Sequence, residues 1–237
     1  MNKFSLIIPA YEEGDRLREC ILQVKRTLSL LGLDFEIIVV DDGSRYETYR
    51  IARSLEDNPK VLFLRNRVNM GKGYAVKKGF QKSSGDIVAY MDVDIGCTLK
   101  PQQMAYYLRK LNSSDAVIAS KRHPQSKISY PLYRRILSRA FNILVRLLFR
   151  LPLSDTQCGF KIFKRKALED AMPRLMVKRY AFDVELLVNI HKRGYKIAEA
   201  PLETMHGESH INIKEIYRMA VDTLAIFYSL HITKAYD

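Results

Sequence analysis

The sequence is short of acidic residues, of cysteines and of long apolar runs, and each shortage removes a class of protein. Three cysteines in 237 residues, Cys20, Cys97 and Cys158, are an odd and scattered set. A disulfide scaffold or a structural zinc site needs paired spacing, so neither is expected and a reducing compartment is. No uncharged apolar stretch approaches the ~18 residues that a membrane span requires. The chain reaches Pro9, Glu12 and Glu13 too early for a signal peptide's apolar region. Glycine and proline, 11 and 8 residues, are an ordinary supply, which argues against collagen-like and low-complexity chains. Asp and Glu number 26 against 39 Lys and Arg, a formal net charge of +13. Such a surplus points to an anionic partner (nucleic acid, a membrane surface or a phosphorylated substrate) or to a solvated surface, and composition does not choose.

What is present is enough to fold. Hydrophobic residues make up 47% of the chain, ample for a core and against disorder. The length suits one α/β domain or two small ones, and no linker marks a boundary, so residues 1–237 are expected to form a single domain. Apolar runs Phe4–Ala10, Phe35–Val40, Val61–Leu64, Ile87–Met91 and Ala116–Ser120 read as buried strands. Between them helices are expected over about 15–31, 45–57 and from Gly71-Lys72-Gly73 onward. Continuous apolar strands interleaved with helices imply a mostly parallel sheet covered on both faces. Ligands of such sheets sit beyond the carboxyl ends of the strands.

Beyond 120 the pattern changes. Residues 130–151 read as a long amphipathic helix with Ile136, Leu137, Ala140, Phe141, Leu144, Leu147 and Leu148 on one side. Arg135, Arg139, Arg146 and Arg150 fall in a stripe on the other. A helix over about 180–193, a strand near Lys196–Glu199 and a last amphipathic helix over about 212–231 complete the expectation. The Tyr and Leu residues of 213–230 are expected in the core.

The strand-end rule turns this fold into a site. The segments after the apolar runs are Pro9-Ala10-Tyr11-Glu12-Glu13, Asp41-Asp42-Gly43-Ser44, Asp92-Val93-Asp94 and Ser120-Lys121-Arg122. Asp92 and Asp94, on a turn after a buried strand, are either a solvated turn or helix cap or, as their placement favours, ligands of a hard divalent cation that keeps positions open for phosphate oxygens. Asp41 and Asp42 are either turn residues or acceptors for a nucleobase edge or ribose. Asn69-Met70-Gly71-Lys72-Gly73 allows close backbone approach to a phosphate, with Lys72 as charge partner, and does not match the Walker pattern.

PAYEE (9–13), VDDGS (40–44), NMGKG (69–73), DVD (92–94), ASKR (119–122) and SDTQCGFKIF (154–163), in that order over nearly the whole chain, resemble the family 2 glycosyltransferases of GT-A fold. Within them the set is similar to the enzymes that load a sugar onto dolichyl or polyprenyl phosphate. The stretches 155–161 and Phe182-Asp183-Val184-Glu185-Leu186-Leu187 lean toward the dolichyl-phosphate glucosyltransferases over the mannose synthases. The resemblance implies an α/β Rossmann-like GT-A fold with C-terminal amphipathic helices. Residues 1–120 would be the nucleotide-sugar half, and 121–237 the acceptor-binding, membrane-facing half. It implies that Pro9, Tyr11, Glu13 and Val39 line the nucleotide pocket, Asp41 reads the base, and Lys72 and Lys121 lie near the nucleotide. Asp92 and Asp94 would hold Mg²⁺ or Mn²⁺ on the diphosphate, and Arg122 or Lys121, with Arg135, would meet the acceptor phosphate. Asp155 and Asp183 would position sugar or metal, or cap helices. Where relatives often carry Gly-x-Ser-Lys, this chain reads Gly207-Glu208-Ser209-His210; His206 is a further candidate near the metal.

The implied reaction is a metal-assisted inverting transfer of hexose from a nucleotide sugar, UDP-glucose before GDP-mannose, to dolichyl or polyprenyl phosphate. A phosphate nucleophile is already anionic near neutral pH, its second pKa being ~6, so no strong general base is needed. The basic helix of 130–151 is expected on an anionic membrane surface, placing the protein peripherally on a cytosolic face, with or without a membrane-anchoring subunit. The rival class, a nucleic-acid binder, lacks a recognisable module.

Overall fold

Seven apolar segments hydrogen-bond into one sheet in the computed structural model, which describes residues 3–54, 59–128, 132–203, 213–233 and 236. The strands are β1 (Phe4–Ala10), β2 (Phe35–Asp41), β3 (Val61–Arg65), β4 (Ile87–Met91), β5 (Ala116–Ser120), β6 (Phe160–Lys164) and β7 (Ile197–Pro201). Their order is β3-β2-β1-β4-β6-β5-β7. β6 runs antiparallel to both its neighbours; every other pairing is parallel. The carboxyl ends of the parallel strands therefore share one edge, and the antiparallel β6 delivers the chain that precedes it, residues 154–159, to that same edge.

Both faces of the sheet are covered because successive strand residues supply opposite layers. Leu6, Ile8, Ile37 and Val39 meet Leu17, Ile21 and Val24 of α1 (Asp15–Leu30). Ile7, Ile38 and Val40 join the other layer with Val76 of α3 (Lys72–Lys82) and with Phe182 and Leu186 of α8 (Phe182–Lys192). The remaining helices are α2 (Tyr46–Arg53), α4 (Val93–Cys97), α5 (Pro101–Leu111), α6 (Leu132–Phe149), α7 (Arg165–Ala171) and α9 (Ile213–His231). The three cysteines are free.

The expected α/β architecture is present, and the expected strands and long helices are found with small shifts at their ends. Three differences stand out. Asp92-Val93-Asp94 is not a plain turn: the chain enters the short helix α4 at Val93, with Asp92 as its cap residue. The strand β6 and the helices α5 and α7 had no counterpart in the sequence pattern. The expectation that the Tyr and Leu residues of 213–230 are core is wrong for all but Leu230. α9 packs through Met219, Thr223, Ile226 and Leu230, leaving Tyr217, Leu224 and Tyr228 exposed. Among the described residues no helix is long and apolar enough to cross a membrane. His206 and the Gly207–His210 stretch lie outside the described residues.

Candidate active site

Four strand ends and the 154–159 segment meet at the carboxyl edge. Asp92 is fixed by its own backbone: its N–H donates to Gly159 O at 2.8 Å. Its carboxylate faces Lys72 Nζ, 2.8 Å from Oδ1, and remains 39% exposed toward the edge. Asp94, one residue into α4, accepts the Ile95 N–H at 2.9 Å. Burial, then the charge of Asp92, raises the Asp94 carboxyl above its ordinary value, opposed by that N–H, Lys72 and Lys121. Glu13, from the segment after β1, belongs to the same field. Its carboxyl is pushed up to about 7 by burial first, then by Asp94 and Asp92. Three carboxylates thus crowd one region, and part of that charge is relieved by protonation.

Lys72 links Asp92, at the exposed edge, to a buried chain of charges. Its ammonium reaches Asp183 Oδ2 at 3.5 Å. Asp183 in turn takes Lys161 Nζ at 2.5 Å and the Tyr90 hydroxyl at 2.6 Å on its other oxygen. Lys161 is fully buried and also donates to Cys158 O at 2.6 Å. Burial works against the Lys72 ammonium, but Asp183 and Asp92 outweigh it and push its pKa up. Burial likewise opposes the Asp183 carboxylate, and Lys161 and Lys72 outweigh it and bring the pKa down. Lys72 and Asp183 are therefore charged near neutrality, and the Tyr90 phenol keeps its proton under burial and the neighbouring Asp183.

The acidic segment after β2 works differently from its sequence expectation. Asp42 accepts from Asn66 Nδ2 at 2.7 Å, Met70 N at 2.9 Å and Gly71 N at 2.7 Å. The backbone N–H groups of the Gly-rich stretch thus hold Asp42's own carboxylate, where the sequence had implied a phosphate. Gly71, at φ 100°, abuts Lys178 O, and a side chain there would collide with it. Asp41 is fully buried, accepts Ser44 N at 3.0 Å and pairs with Arg65 Nε at 3.2 Å. Arg65 also lies over the Tyr49 ring, 4.1 Å from its centroid.

The other expected site residues fall as follows. Pro9 is at the end of β1, opposite Val40, and Tyr11 is exposed beyond it. Val39 is buried in the core layer facing α1, two residues short of the end of β2. Asp155 is buried and accepts the Lys121 N–H at 3.0 Å and the Gln157 N–H at 3.1 Å, with Lys121 Nζ 4.0 Å away. The Arg122 guanidinium binds Ser154 O and, at 2.7 Å, Ser138 Oγ, tying β5 to α6. Arg135 is exposed on α6. Sequence reasoning missed Lys161, Tyr90 and Gly159 as parts of the site. A lysine inside the apolar run Phe160–Phe163 was the available signal, since a buried charge demands a partner.

The donor chemistry fits a hard cation. Asp92 and Asp94 offer carboxylate oxygens, and Gly159 leaves the room that a Cβ would take 1.8 Å from Asp92 Oδ2. In the segment that leads to Gly159, Thr156 Oγ1 and Gln157 Nε2 are buried with no hydrogen-bond partner among the described residues. Among the described residues no group of three or more acidic, His or Cys side chains is placed to cage a metal. The edge therefore suits a cation that takes most of its ligands from phosphate oxygens and water.

Residues 5–171 match the profile of the family described as Glycosyl transferase family 2. A dolichyl-phosphate beta-glucosyltransferase of Trichomonas vaginalis is 32% identical over 235 residues, covering 94% of this chain and 70% of that protein. Glycosyltransferase AglD of Haloferax volcanii is 30% identical over 233 residues, covering 96% of this chain and 37% of AglD, so the chain spans just over a third of that relative. Among solved structures, glucosyl-3-phosphoglycerate synthase of Mycobacterium tuberculosis with Mn²⁺, UDP and phosphoglyceric acid superposes at TM-score 0.75 and 20% identity. That match covers 96% of this chain and 78% of the synthase. The same synthase is also solved with Mg²⁺ and UDP.

Proposed function

The chain belongs to glycosyl transferase family 2, a family of nucleotide-sugar-dependent transferases, and from that membership we propose that it moves glucose from UDP-glucose to dolichyl or another polyprenyl phosphate. The observation that carries the reading is the acidic pair Asp92 and Asp94, with Lys72 and Lys121 beside it, at the carboxyl edge of a GT-A sheet. The curated relative's name supplies the lean to glucose and to a dolichyl acceptor.

In this reading Pro9, Tyr11 and Glu13 border the nucleoside, with Asp41, buried and paired with Arg65, and Val39 supporting them from beneath. Asp92 and Asp94 would hold Mn²⁺ or Mg²⁺, which would supply positive charge against the departing diphosphate. Lys121 and Arg122, with Arg135 on the adjoining helix, draw in the acceptor phosphate, whose oxygen is anionic without a general base. Asp155 aims the Lys121 backbone and shapes the floor beneath the sugar. The residues' work is to bring two anionic reactants together and orient them. Displacement by the acceptor oxygen from the face opposite the nucleotide inverts the anomeric centre.

The acceptor reading gains support from α6 and α9, which pack against each other. Tyr133, Ile136, Leu137, Ile143 and Leu147 are exposed on the first; Tyr217, Val221, Leu224 and Tyr228 form an exposed helical stripe on the second, with Ile232 exposed just past its end. Arg135, Arg139, Arg146 and Arg150 flank them, and 132–150 contains no Asp or Glu. Apolar side chains fringed by arginine suit a helix pair resting on an anionic membrane surface.

A donor panel tests the function. UDP-glucose, GDP-mannose and UDP-N-acetylglucosamine are each offered with Mn²⁺ or Mg²⁺ and a polyprenyl phosphate, and the lipid fraction is assayed for sugar. Metal-dependent transfer of glucose is expected. Transfer from none of the three donors to lipid phosphate would overturn the acceptor reading.

A further inference from the structure

We infer that Lys72 is a resident counter-ion of Asp92 that turns away a bare divalent cation and yields to one that arrives with a nucleoside diphosphate. The inference deepens the proposed function and rests on Asp92 and Asp94 being the metal pair.

Lys72 is held on both sides. Asp92 Oδ1 lies 2.8 Å from its ammonium and Asp183 Oδ2 3.5 Å. These two carboxylates are not equivalent. Asp183 is 2% exposed and fixed by Lys161 and Tyr90, whereas Asp92 is 39% exposed at the site edge. One is a stationary anchor and the other can change partners. The Lys72 backbone has no room to retreat, because Gly71 is pressed against Lys178 O and Gly73 against the Phe182 ring. The ammonium therefore stays within a few ångströms of whatever Asp92 binds.

The charges decide what that can be. Asp92 and Asp94 supply negative charge at the edge, and Lys72 already cancels part of it. A dication seated between the carboxylates would bring two positive charges against a largely buried ammonium, an unfavourable arrangement in a medium less polar than water. The diphosphate reverses the balance: its oxygens supply negative charge and most of the cation's ligands, and they offer Lys72 a new partner. That the described residues supply so few ligands of their own agrees with this. The consequence is coupled binding of metal and nucleotide. When both leave after transfer, Lys72 re-forms its pair with Asp92 and the edge is closed to free cations again.

The test is Mn²⁺ binding by the full chain, followed by calorimetry or by the free-ion resonance signal, with and without UDP. Wild type is expected to bind Mn²⁺ weakly alone and much more tightly with UDP. Lys72→Met should bind bare Mn²⁺ at least about tenfold more tightly than wild type, since a nearby unit charge has been removed. By linkage, the tightening that UDP confers should shrink by the same factor if Mn²⁺–UDP affinity is otherwise unchanged. Lys72→Arg keeps the charge and should behave as wild type, which a purely structural role for Lys72 does not require. Unchanged bare Mn²⁺ affinity in a folded Lys72→Met overturns the inference and leaves the metal site standing. Should that variant not fold, the wild type decides: equal Mn²⁺ affinity with and without UDP overturns it. The underlying reading fails separately if Asp94→Ala binds Mn²⁺ and UDP as wild type does.

Discussion

Gly159 lies so close behind Asp92 that a Cβ on it would stand 1.8 Å from Asp92 Oδ2. Relief by a backbone shift is blocked, since Asp92 N–H is bonded to Gly159 O at 2.8 Å across the β4–β6 boundary. Gly159→Ala must therefore move the carboxylate. A displacement of about 1 Å in a positioned group lowers rate by on the order of 10²-fold. Sugar transfer by Gly159→Ala should fall by about that factor, with Mn²⁺–UDP binding weakened. Near-normal transfer would mean that the position of Asp92 does not limit the reaction.

Much of the carboxyl edge was legible because strands with two buried faces are continuous apolar runs, and the residues that stop them are polar. Phe35–Val40 halted by Asp41-Asp42-Gly43-Ser44 shows this plainly. β6 was not legible, although its motif was in view. Lys161 interrupts the run at its second residue, and nothing local reveals that Asp183, 22 positions later, neutralises it. The purpose of Asp42 was hidden for a similar reason: its three donors come from residues 66–71, on the far side of β3. Long-range polar pairing leaves no period in the sequence. On α9 the pattern misled, because an exposed stripe of Tyr, Val, Leu and Ile has the same spacing as a buried one.

The pairing of Lys161 with Asp183 has a measurable energetic consequence. Both side chains are almost wholly buried, at 0% and 2% exposure. Removing one partner of such a pair leaves the other charge uncompensated and destabilises by about 3–5 kcal/mol. Lys161→Met should lose about that much in urea unfolding, because Lys72, at 3.5 Å and shared with Asp92, compensates only in part. A loss below about 1 kcal/mol would place it in the range of exposed ion pairs and contradict the assignment.

Glu13 gives the fold a pH dependence whose sign is fixed. Its carboxyl titrates near 4.5 when unfolded and is raised to about 7 in the folded chain, by burial first and then by Asp94 and Asp92. Below the lower value both states hold the proton, and the folded state pays no penalty. Between the two the unfolded chain has released its proton while the folded one retains it, so stability declines as pH rises, and above the upper value the decline is complete. Glu13→Gln cannot ionise. In the absence of metal and nucleotide, the melting temperature of wild type should fall relative to that of Glu13→Gln between pH 4.5 and pH 7 and run parallel to it above. A difference that stays flat across this window would remove the raised pKa.

The outer face of α6 and α9 carries the last prediction. Leu147 is 75% exposed and Tyr217 71%, values that a water-facing helix gains nothing from. If the face rests on lipid, its arginines sit at the level of the anionic headgroups, where each basic residue contributes about 1 kcal/mol. Losing the attraction of two arginines should weaken binding by about thirtyfold at low salt. Arg139→Glu with Arg146→Glu also adds repulsion, so vesicles containing phosphatidylserine should bind at least that much more weakly, while Mn²⁺–UDP affinity stays unchanged. Leu147→Ser with Tyr217→Ser should weaken binding to neutral vesicles as well, because apolar burial does not depend on headgroup charge. Loss in the first variant alone would make the contact electrostatic. Loss in neither would detach these helices from the membrane and require the acceptor lipid to reach Lys121 and Arg122 by another side of the protein.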